Sequence, residues 1–288
     1  MFYFLSLMMG LLISVMVAVN GGLTGFYGVY SATVMIHVVG LVLIGGAVAV
    51  KRDRVLGAGV AWYFYLGGAI GVLTTVFNNV SFGRISVSAI LALGLLGQSV
   101  AGLVIDQYGL LGMQKHPFAR HKLLGLALIL AGIASMITGF EIVAVVISFF
   151  AGVNIVLSRT LNAQLAAASH ERVSTFYNYV IGLAVSLAAF ALLGRGEIDA
   201  FTLSPQWWIY LGGAFGVTVV LLGNIVAVKV SAFYLTLLIF VGQVFTGVVV
   251  DVVLTQSFSA RNIVGGALVA AGLAANLLLD KKIASPKK

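Results

Sequence analysis

The sequence has no cysteine and little charge: Lys, Arg, Asp and Glu together make up 8% of its 288 residues. The absence of cysteine excludes disulfide bonds, thiol catalysis and metal sites built on cysteine. The four histidines lack the spacing of metal ligands on one helix, so neither a metal nor another cofactor is expected. A water-soluble chain needs about a quarter of its residues charged. The scarcity of charge therefore excludes a soluble protein.

Apolar residues take the place of charge: they make up 61% of the chain, and the mean hydropathy is +1.14. They form continuous runs of about 20 residues, the length that crosses a bilayer as an α-helix. Strands of a membrane β-barrel would instead alternate between polar and apolar residues. The sequence therefore predicts an all-α integral membrane protein with ten transmembrane helices. The predicted spans are roughly residues 4–26, 31–50, 57–80, 85–106, 121–139, 142–167, 173–193, 206–227, 230–251 and 261–280.

The distribution of basic residues predicts the orientation in the membrane. The net charge of +8 could indicate a nucleic-acid-binding protein, but the basic residues are scattered between the apolar runs and form no basic patch. With ten spans, the side that carries both termini holds Lys51, Arg52, Arg54, Lys115, Arg120, Lys122, Arg172, Lys229, Lys281, Lys282, Lys287 and Lys288. The other side holds Arg84, Arg195 and Arg261. Because cytoplasmic loops are enriched in Lys and Arg, we predict a multi-pass protein of a bacterial-type cytoplasmic membrane, with both termini cytoplasmic. The lipid bilayer is its expected partner, and nucleic acid is not.

The sequence also contains an internal repeat. The block WYFYLGGAIGV, which begins at Trp62, recurs as WWIYLGGAFGV at Trp207, 145 residues later. The same offset pairs polar residues of the two halves: Asn79 with Asn224, Arg84 with Lys229, Gln98 with Gln243, and Asp106 with Asp251. Upstream, an offset of 142 residues pairs Asn20 with Asn162. The repeat therefore covers nearly the whole chain.

Each half of the chain, 1–140 and 141–288, contains five predicted spans. Because five is odd, the second half must enter the membrane in the opposite orientation to the first. The two halves are therefore predicted to be inverted repeats of one transmembrane unit, related by a pseudo-two-fold axis in the membrane plane. Many secondary transporters have this architecture, with the substrate site near the bilayer midplane at the repeat interface.

Three segments carry a resemblance to a known family: NAQLAAASHERVSTFYNYVIG from Asn162, WWIYLGGAFGV from Trp207, and GQSVAGLVIDQYGLLG from Gly97, which is followed by GLALILAGIA. They resemble the YdcZ branch of the drug/metabolite transporter superfamily. Its members are described as inner-membrane exporters and occur as five-helix half-size proteins and as fused forms of about this length. The second copy of the third segment, GQVFTGVVVDVVL, departs from the family pattern after Asp251. The resemblance implies a transport class and a central cavity lined by spans 1, 3, 4 and their second-half counterparts, and it implies no particular substrate.

Six amide side chains are candidate substrate-binding residues. Gln98 and Gln243 lie inside spans 4 and 9, and an amide in hydrocarbon must be hydrogen-bonded or face a cavity. The resemblance puts four asparagines on cavity-lining spans: Asn20, Asn79, Asn162 and Asn224. Hydrogen bonding between helices is an equally good interpretation of the two glutamines, and helix capping is an equally good one of Asn79 and Asn224.

Two further residues are candidates because of their chemistry. Arg159 lies well inside span 6, and an intramembrane arginine is a functional candidate by default. It could bind an anionic substrate or pair with a carboxylate such as Glu141 or Asp106, and the alternative is snorkelling to the cytoplasmic interface. His37 is a candidate carrier for a coupling proton, with ordinary packing in the helix bundle as the alternative.

Four charged residues are candidate gates. Asp106 and Asp251 lie at the C-terminal ends of spans 4 and 9, and Arg84 and Lys229 lie at their N-terminal ends. Both placements oppose the helix dipole, which favours anions at N-termini and cations at C-termini. The predicted topology puts Asp106 on the side of Lys229 and Asp251 on the side of Arg84. We expect two cross-repeat ion pairs that open alternately, and the alternative is ordinary interfacial charge.

These features favour a secondary transporter that moves a small organic solute, either a metabolite, an amine or a drug-like compound, by alternating access, with export as the expected direction. No GxxxxGK[ST] phosphate-binding motif is present, so ATP-driven transport by this chain is not expected. A membrane enzyme would need a nucleophile and base or metal ligands within the bundle, and none converges. A non-transporting membrane scaffold or receptor is the alternative function. The substrate, the coupling ion and the oligomeric state, a homodimer included, stay open.

Overall fold

The computed structural model describes residues 2–55, 59–112, 122–136, 141–197, 202–226, 232–256 and 259–284. These residues form ten α-helices and no β-strand. The helices are α1 (Phe2–Tyr27), α2 (Val29–Lys51), α3 (Gly67–Ser81), α4 (Val87–Tyr108), α5 (Lys122–Met136), α6 (Ile142–Ala168), α7 (Glu171–Leu193), α8 (Gly212–Val226), α9 (Ala232–Thr255) and α10 (Ala260–Ala284). The prediction of an all-α membrane protein with ten helices is confirmed.

Within the described residues, seven segments are long and apolar enough to cross a bilayer on their own. They are α1, α2, α4, α6 and α7, most of α9, and α8 together with the 3₁₀ turn Trp207–Leu211 in front of it. One of the predicted spans is interrupted: the span 57–80 is divided into a 3₁₀ turn at Trp62–Leu66 and α3. The described part of α5, Lys122–Met136, lies within the predicted span 121–139.

A Gly-Gly pair begins both α3 and α8, directly after the aromatic 3₁₀ turn. A Cβ atom on Gly68 would overlap the carbonyl oxygen of Asn178 in α7. In the second half, a Cβ atom on Gly213 would overlap the carbonyl oxygen of Ile36 in α2. The glycine pairs therefore allow these two short helices to lie against the backbone of a neighbouring helix.

The two halves repeat the same helix contacts. Helix α1 packs against α8 and α9, and α6 packs against α3 and α4, while α2 meets α7 and α5 meets α10. At the closest crossings, a Cβ atom on Gly10 would overlap the Ile239 carbonyl oxygen, and one on Gly152 would overlap that of Gly94. The repeat makes Gly10 equivalent to Gly152 and Gly94 equivalent to Ile239. The opposite orientation of the halves in the membrane, and the division at residue 140, stay predictions.

The largest apolar core lies among α4, α5, α9 and α10. Its buried members include Leu93, Ile129, Phe240 and Val269. Because α5 and α10 pack chiefly on each other and on this core, the remaining eight helices surround the centre of the molecule.

Candidate functional site

A cavity of about 200 Å3 lies between the two halves and is lined by every helix except α5 and α10. Seven of the residues predicted from the sequence line it: Asn20, His37, Gln98, Arg159, Asn162, Asn224 and Gln243. Apolar residues form much of the remaining wall, among them Met9, Ile13, Met16, Val219, Val220 and Ile239. A polar lining inside an apolar bundle is costly unless its groups are hydrogen-bonded to each other, to water or to a solute. This cavity is therefore the candidate substrate site.

Arg159 and Gln98 are joined by a hydrogen bond in the cavity wall. The Nη2 atom of Arg159 donates to the Oε1 atom of Gln98 at 2.8 Å. The alternative partner Glu141 precedes the first residue of α6, 18 residues before Arg159, which is about 27 Å along the helix axis. Glu141 is thus too distant to pair with this arginine. The other suggested partner, the Asp106 side chain, lies outside the described part of the structure.

Gln243, the repeat equivalent of Gln98, lines the same cavity and is 4% exposed. Its main-chain carbonyl accepts a hydrogen bond from the Ser14 hydroxyl at 2.8 Å, which joins α9 to α1. The residue equivalent to Arg159 in the first half is Val17. The two glutamines therefore lie in unlike surroundings, with a cation beside only one of them.

Three of the four predicted asparagines line the cavity, and Asn79 does not, although its neighbour Asn78 does. Asn79 Nδ2 donates to the hydroxyl of Thr33 at 3.4 Å, and Asn224 Nδ2 donates to that of Thr175 at 3.3 Å. Thr33 and Thr175 are equivalent in the repeat. Both amides thus make the same hydrogen bond between helices, from α3 to α2 and from α8 to α7.

Asn162 and Asn20 are equivalent in the repeat but differ in their hydrogen bonds. Asn162 Nδ2 donates to the Oδ1 atom of Asn178 at 2.8 Å. Asn20 Oδ1 is buried and accepts no hydrogen bond from any described residue. An unsatisfied acceptor costs free energy when buried, and this oxygen packs against Gly212, where a Cβ atom would overlap it.

His37 and Tyr179 meet across the halves, with ring centroids 5.7 Å apart. They are equivalent positions in the repeat, and each ring packs against a glycine of the opposite helix, Gly182 and Gly40 respectively. The Nδ1 atom of His37 lies 2.8 Å from the Thr33 carbonyl oxygen. Because a carbonyl only accepts, Nδ1 carries the hydrogen. His37 therefore lies in the wall with its ring orientation fixed by α2 itself.

Two of the candidate gate residues, Arg84 and Asp251, do not line this cavity. Asp251 is 7% exposed, and its carboxylate accepts hydrogen bonds from the main-chain N–H groups of Val87 at 2.7 Å and Ser88 at 3.0 Å. The Ser88 hydroxyl and the Nδ2 atom of Asn262 also donate to it. Arg84 is exposed and forms no ion pair within the described residues. The expected Arg84–Asp251 ion pair is thus replaced by capping of the α4 N-terminus, which favours an anion.

Lys229 and the Asp106 side chain lie outside the described residues. The second gate pair, Asp106 with Lys229, therefore stays a prediction.

The cavity also contains polar residues that the sequence pattern did not single out: Thr74, Thr75, Asn78, Ser158, Asn178 and Tyr179. A search for polar residues shared by both halves misses most of them. Asn178 aligns with Ile36, Ser158 with Met16, and Thr75 with Val220. The sequence signal that would have found these cavity residues is a polar residue inside a span whose equivalent in the other half is apolar.

These features define a class of protein: a multi-pass helical membrane protein with two similar halves around a polar cavity. Comparison with family models identifies the family. The model described as "Putative inner membrane exporter, YdcZ" matches residues 1–135 and 143–275. The chain belongs to this family and is a two-repeat form of it. The family and the apolar helices together make the protein a membrane transporter.

A solved structure titled "Crystal structure of protein" is similar to the chain over 97% of this chain and 99% of its own, with a TM-score of 0.65 and 15% sequence identity. At this identity the similarity shows the fold alone. No curated protein matches the sequence.

Proposed function

We propose that the protein is a secondary transporter that exports a small organic solute by alternating access. The single observation that supports this most directly is the cavity, which lies between the halves and is lined by equivalent helices of both. A site between two similar halves can open to either side when the halves exchange their contacts. The orientation predicted from the basic residues makes the side of the termini the cytoplasmic one.

Counterflow in liposomes tests alternating access. Purified protein is reconstituted in liposomes that are loaded with one unlabelled solute from a metabolite pool, and uptake of the same labelled solute is measured. A carrier accumulates the label transiently against its gradient, whereas a channel or a scaffold does not. We expect saturable counterflow for at least one solute that also raises the thermal stability of the protein.

Two variants connect the flux to the cavity. Gln98→Ala and Gln243→Ala should each reduce counterflow, because both side chains line the cavity. Arg195→Gln, at an exposed position near the end of α7, should leave it unchanged. Solutes that stabilise the protein but show no counterflow would contradict transport and favour a receptor.

Proton coupling is proposed as an addition to this mechanism, with His37 as the carrier. Export by proton exchange should accelerate when the liposomes have an opposing pH gradient. His37→Gln should then abolish the effect of the gradient and leave counterflow intact, because counterflow needs no net proton movement. If the pH gradient accelerates export by His37→Gln as much as export by the wild-type protein, His37 is not the proton carrier.

A further inference from the structure

Arg159 is the only Lys or Arg among the described residues that line the cavity. It lies 17 residues into α6, far from the helix ends where the other basic residues cluster. Its guanidinium reaches across to α4 and is held by the Gln98 side chain. The cation is thus held in the wall of the cavity.

The charge of Arg159 has no counter-ion in the described part of the cavity wall, since none of the lining residues is Asp or Glu. An amide oxygen compensates a guanidinium only in part, and an unpaired charge in a bundle is costly. A bound anion would recover that cost. A cationic solute would instead meet like charge and find no carboxylate.

The contact with Gln98 adds a second donor at the same place. Arginine only donates, so the Gln98 atom that faces it must be the amide oxygen. The amide NH2 group of Gln98 is consequently available as a donor beside the guanidinium. Two adjacent donor groups match the oxygens of a carboxylate or a similar organic anion.

The size and the remaining wall of the cavity restrict the rest of the solute. About 200 Å3 is below the range of about 300–1,000 Å3 that is usual for drug-sized ligands. Methionine and branched aliphatic side chains, Met9, Ile13, Met16, Val219, Val220 and Ile239, supply an apolar surface. A small anion with an apolar body fits both features better than an inorganic anion, which would gain nothing from this surface.

We propose that the transported solute is a small organic monoanion whose anionic group binds Arg159 and Gln98. This inference rests on the proposed transport function. The position equivalent to Arg159 in the other half is Val17, so the cavity holds one anionic group and not two. Selectivity for the anion therefore comes from the second half of the chain and from α4.

A matched set of probes tests the charge preference. Phenylacetate, phenylacetamide and phenethylamine share an apolar body and differ in charge at neutral pH, and butyrate with butyramide and butylamine forms a smaller set. Sodium chloride serves as the inorganic anion. Affinity is measured by thermal shift and calorimetry on the purified full-length protein. We expect at least one carboxylate to bind about tenfold or more tightly than its amide, with no binding of the amines and no competition by chloride.

Arg159→Gln should remove the preference for the carboxylate over the amide, while Arg159→Lys should keep part of it because the charge remains. Arg195→Gln removes the same charge at the surface and should leave the preference at its original value. The melting temperature of each ligand-free variant shows whether it is folded. If Arg159→Gln does not fold, the Arg159→Lys and Gln98→Leu variants must still reduce the preference.

Three results would overturn the inference: tighter binding of an amine, chloride binding that displaces the carboxylates, or no binding of any carboxylate. Counterflow separates these from failure of the proposed function. Amine counterflow without carboxylate binding would keep the transporter and reject the anion, whereas carboxylate binding without counterflow would keep the anion site and reject transport.

Discussion

Asp251 is a buried carboxylate whose stabilisation comes from another helix. It lies at the C-terminal end of α9, where the helix dipole disfavours a negative charge. The N-terminus of α4 supplies two main-chain N–H donors to it, and Ser88 and Asn262 supply side-chain donors. One carboxylate thus satisfies donors that would otherwise be unpaired where α4 begins. The residue joins the two halves through α4 and α9.

Removing this carboxylate should destabilise the protein. Asp251→Ala leaves the Val87 and Ser88 N–H groups without their acceptor, and we expect a loss of about 2–4 kcal/mol in the free energy of unfolding. Asp251→Asn retains one acceptor oxygen and should lose less. Thermal unfolding of the purified variants in detergent measures both effects.

Glu141 offers the control for Asp251, because it is an exposed carboxylate at a helix N-terminus that makes no capping hydrogen bond. Glu141→Gln should change the stability by less than about 0.5 kcal/mol. Equal effects of the Asp251→Ala and Glu141→Gln substitutions would mean that the contact with α4 contributes nothing.

Asp53 makes part of the stability dependent on pH. Arg172 donates to both oxygens of this carboxylate, at 2.7 Å from Nε and 3.0 Å from Nη2, and this contact lowers the pKa of Asp53 below its ordinary value of 3.8. A pKa that is lower in the folded state stabilises the protein above the unfolded-state pKa. That contribution is lost as the pH falls through the lowered value.

We therefore expect Asp53→Asn to lower the melting temperature at pH 7 and to have progressively less effect as the pH falls below about 4. Melting curves of the wild-type protein and the variant across this range provide the measurement. The double variant Asp53→Asn with Arg172→Gln should have the same melting temperature as Asp53→Asn alone. If the melting temperatures of the wild-type protein and Asp53→Asn differ by the same amount from pH 7 to pH 3, the ion pair is not the cause of the difference.

Among the helices, close approach depends on glycine at particular positions. A Cβ atom on Gly97 in α4 would overlap the Phe149 carbonyl oxygen in α6, and the equivalent Gly242 in α9 faces the Leu7 carbonyl oxygen in α1. Gly102, five residues further along α4, has no atom within 4 Å of such a Cβ. The same helix thus contains one glycine that is required by packing and one that is not.

This contrast predicts opposite results for the same substitution. Gly97→Ala should force α4 and α6 apart and destabilise the protein by about 1–3 kcal/mol or more. Gly102→Ala should be neutral or slightly stabilising, since alanine favours the helix. Thermal unfolding of the two variants provides the measurement, and a similar loss in both would argue against the close crossing.

The sequence predicts the helices better than it predicts what they surround. Continuous apolar runs identify spans, but they do not show that Trp62–Leu66 forms a 3₁₀ turn before α3, because the run stays apolar across the boundary at Gly67. Gln98 and Arg159 could be selected because polar groups are rare in apolar runs. The contact between these two side chains could not be predicted, because it depends on how α4 and α6 are rotated about their axes. Sequence spacing alone does not specify that rotation.

In the molecule as a whole, each main contact between the halves has a counterpart in which the two halves change roles, as a two-fold relation would produce. The contact of α1 with α9 corresponds to that of α6 with α4. Two pairs of equivalent helices, α2 with α7 and α5 with α10, contact each other directly where the halves meet. Two equivalent residues can touch each other only where they lie close to the axis relating the halves. His37 and Tyr179 are such a pair. An axis that relates the halves would therefore pass close to these two residues, in the wall of the cavity.

The orientation of the halves in the membrane yields the last prediction. Arg84 and Lys229 are equivalent in the repeat, and inverted repeats put them on opposite sides of the membrane, with Arg84 outside and Lys229 in the cytoplasm. The native chain has no cysteine, so Arg84→Cys and Lys229→Cys each introduce a single reactive thiol. A membrane-impermeant maleimide should label the first in intact cells and the second only after permeabilisation. The same predicted topology puts Arg195 outside and Arg54 in the cytoplasm, so Arg195→Cys should label like Arg84→Cys and Arg54→Cys like Lys229→Cys, and the cysteine-free parent reports the background. Labelling of both equivalent positions from one side would mean that the halves are parallel, and a parallel arrangement would remove the structural basis for alternating access.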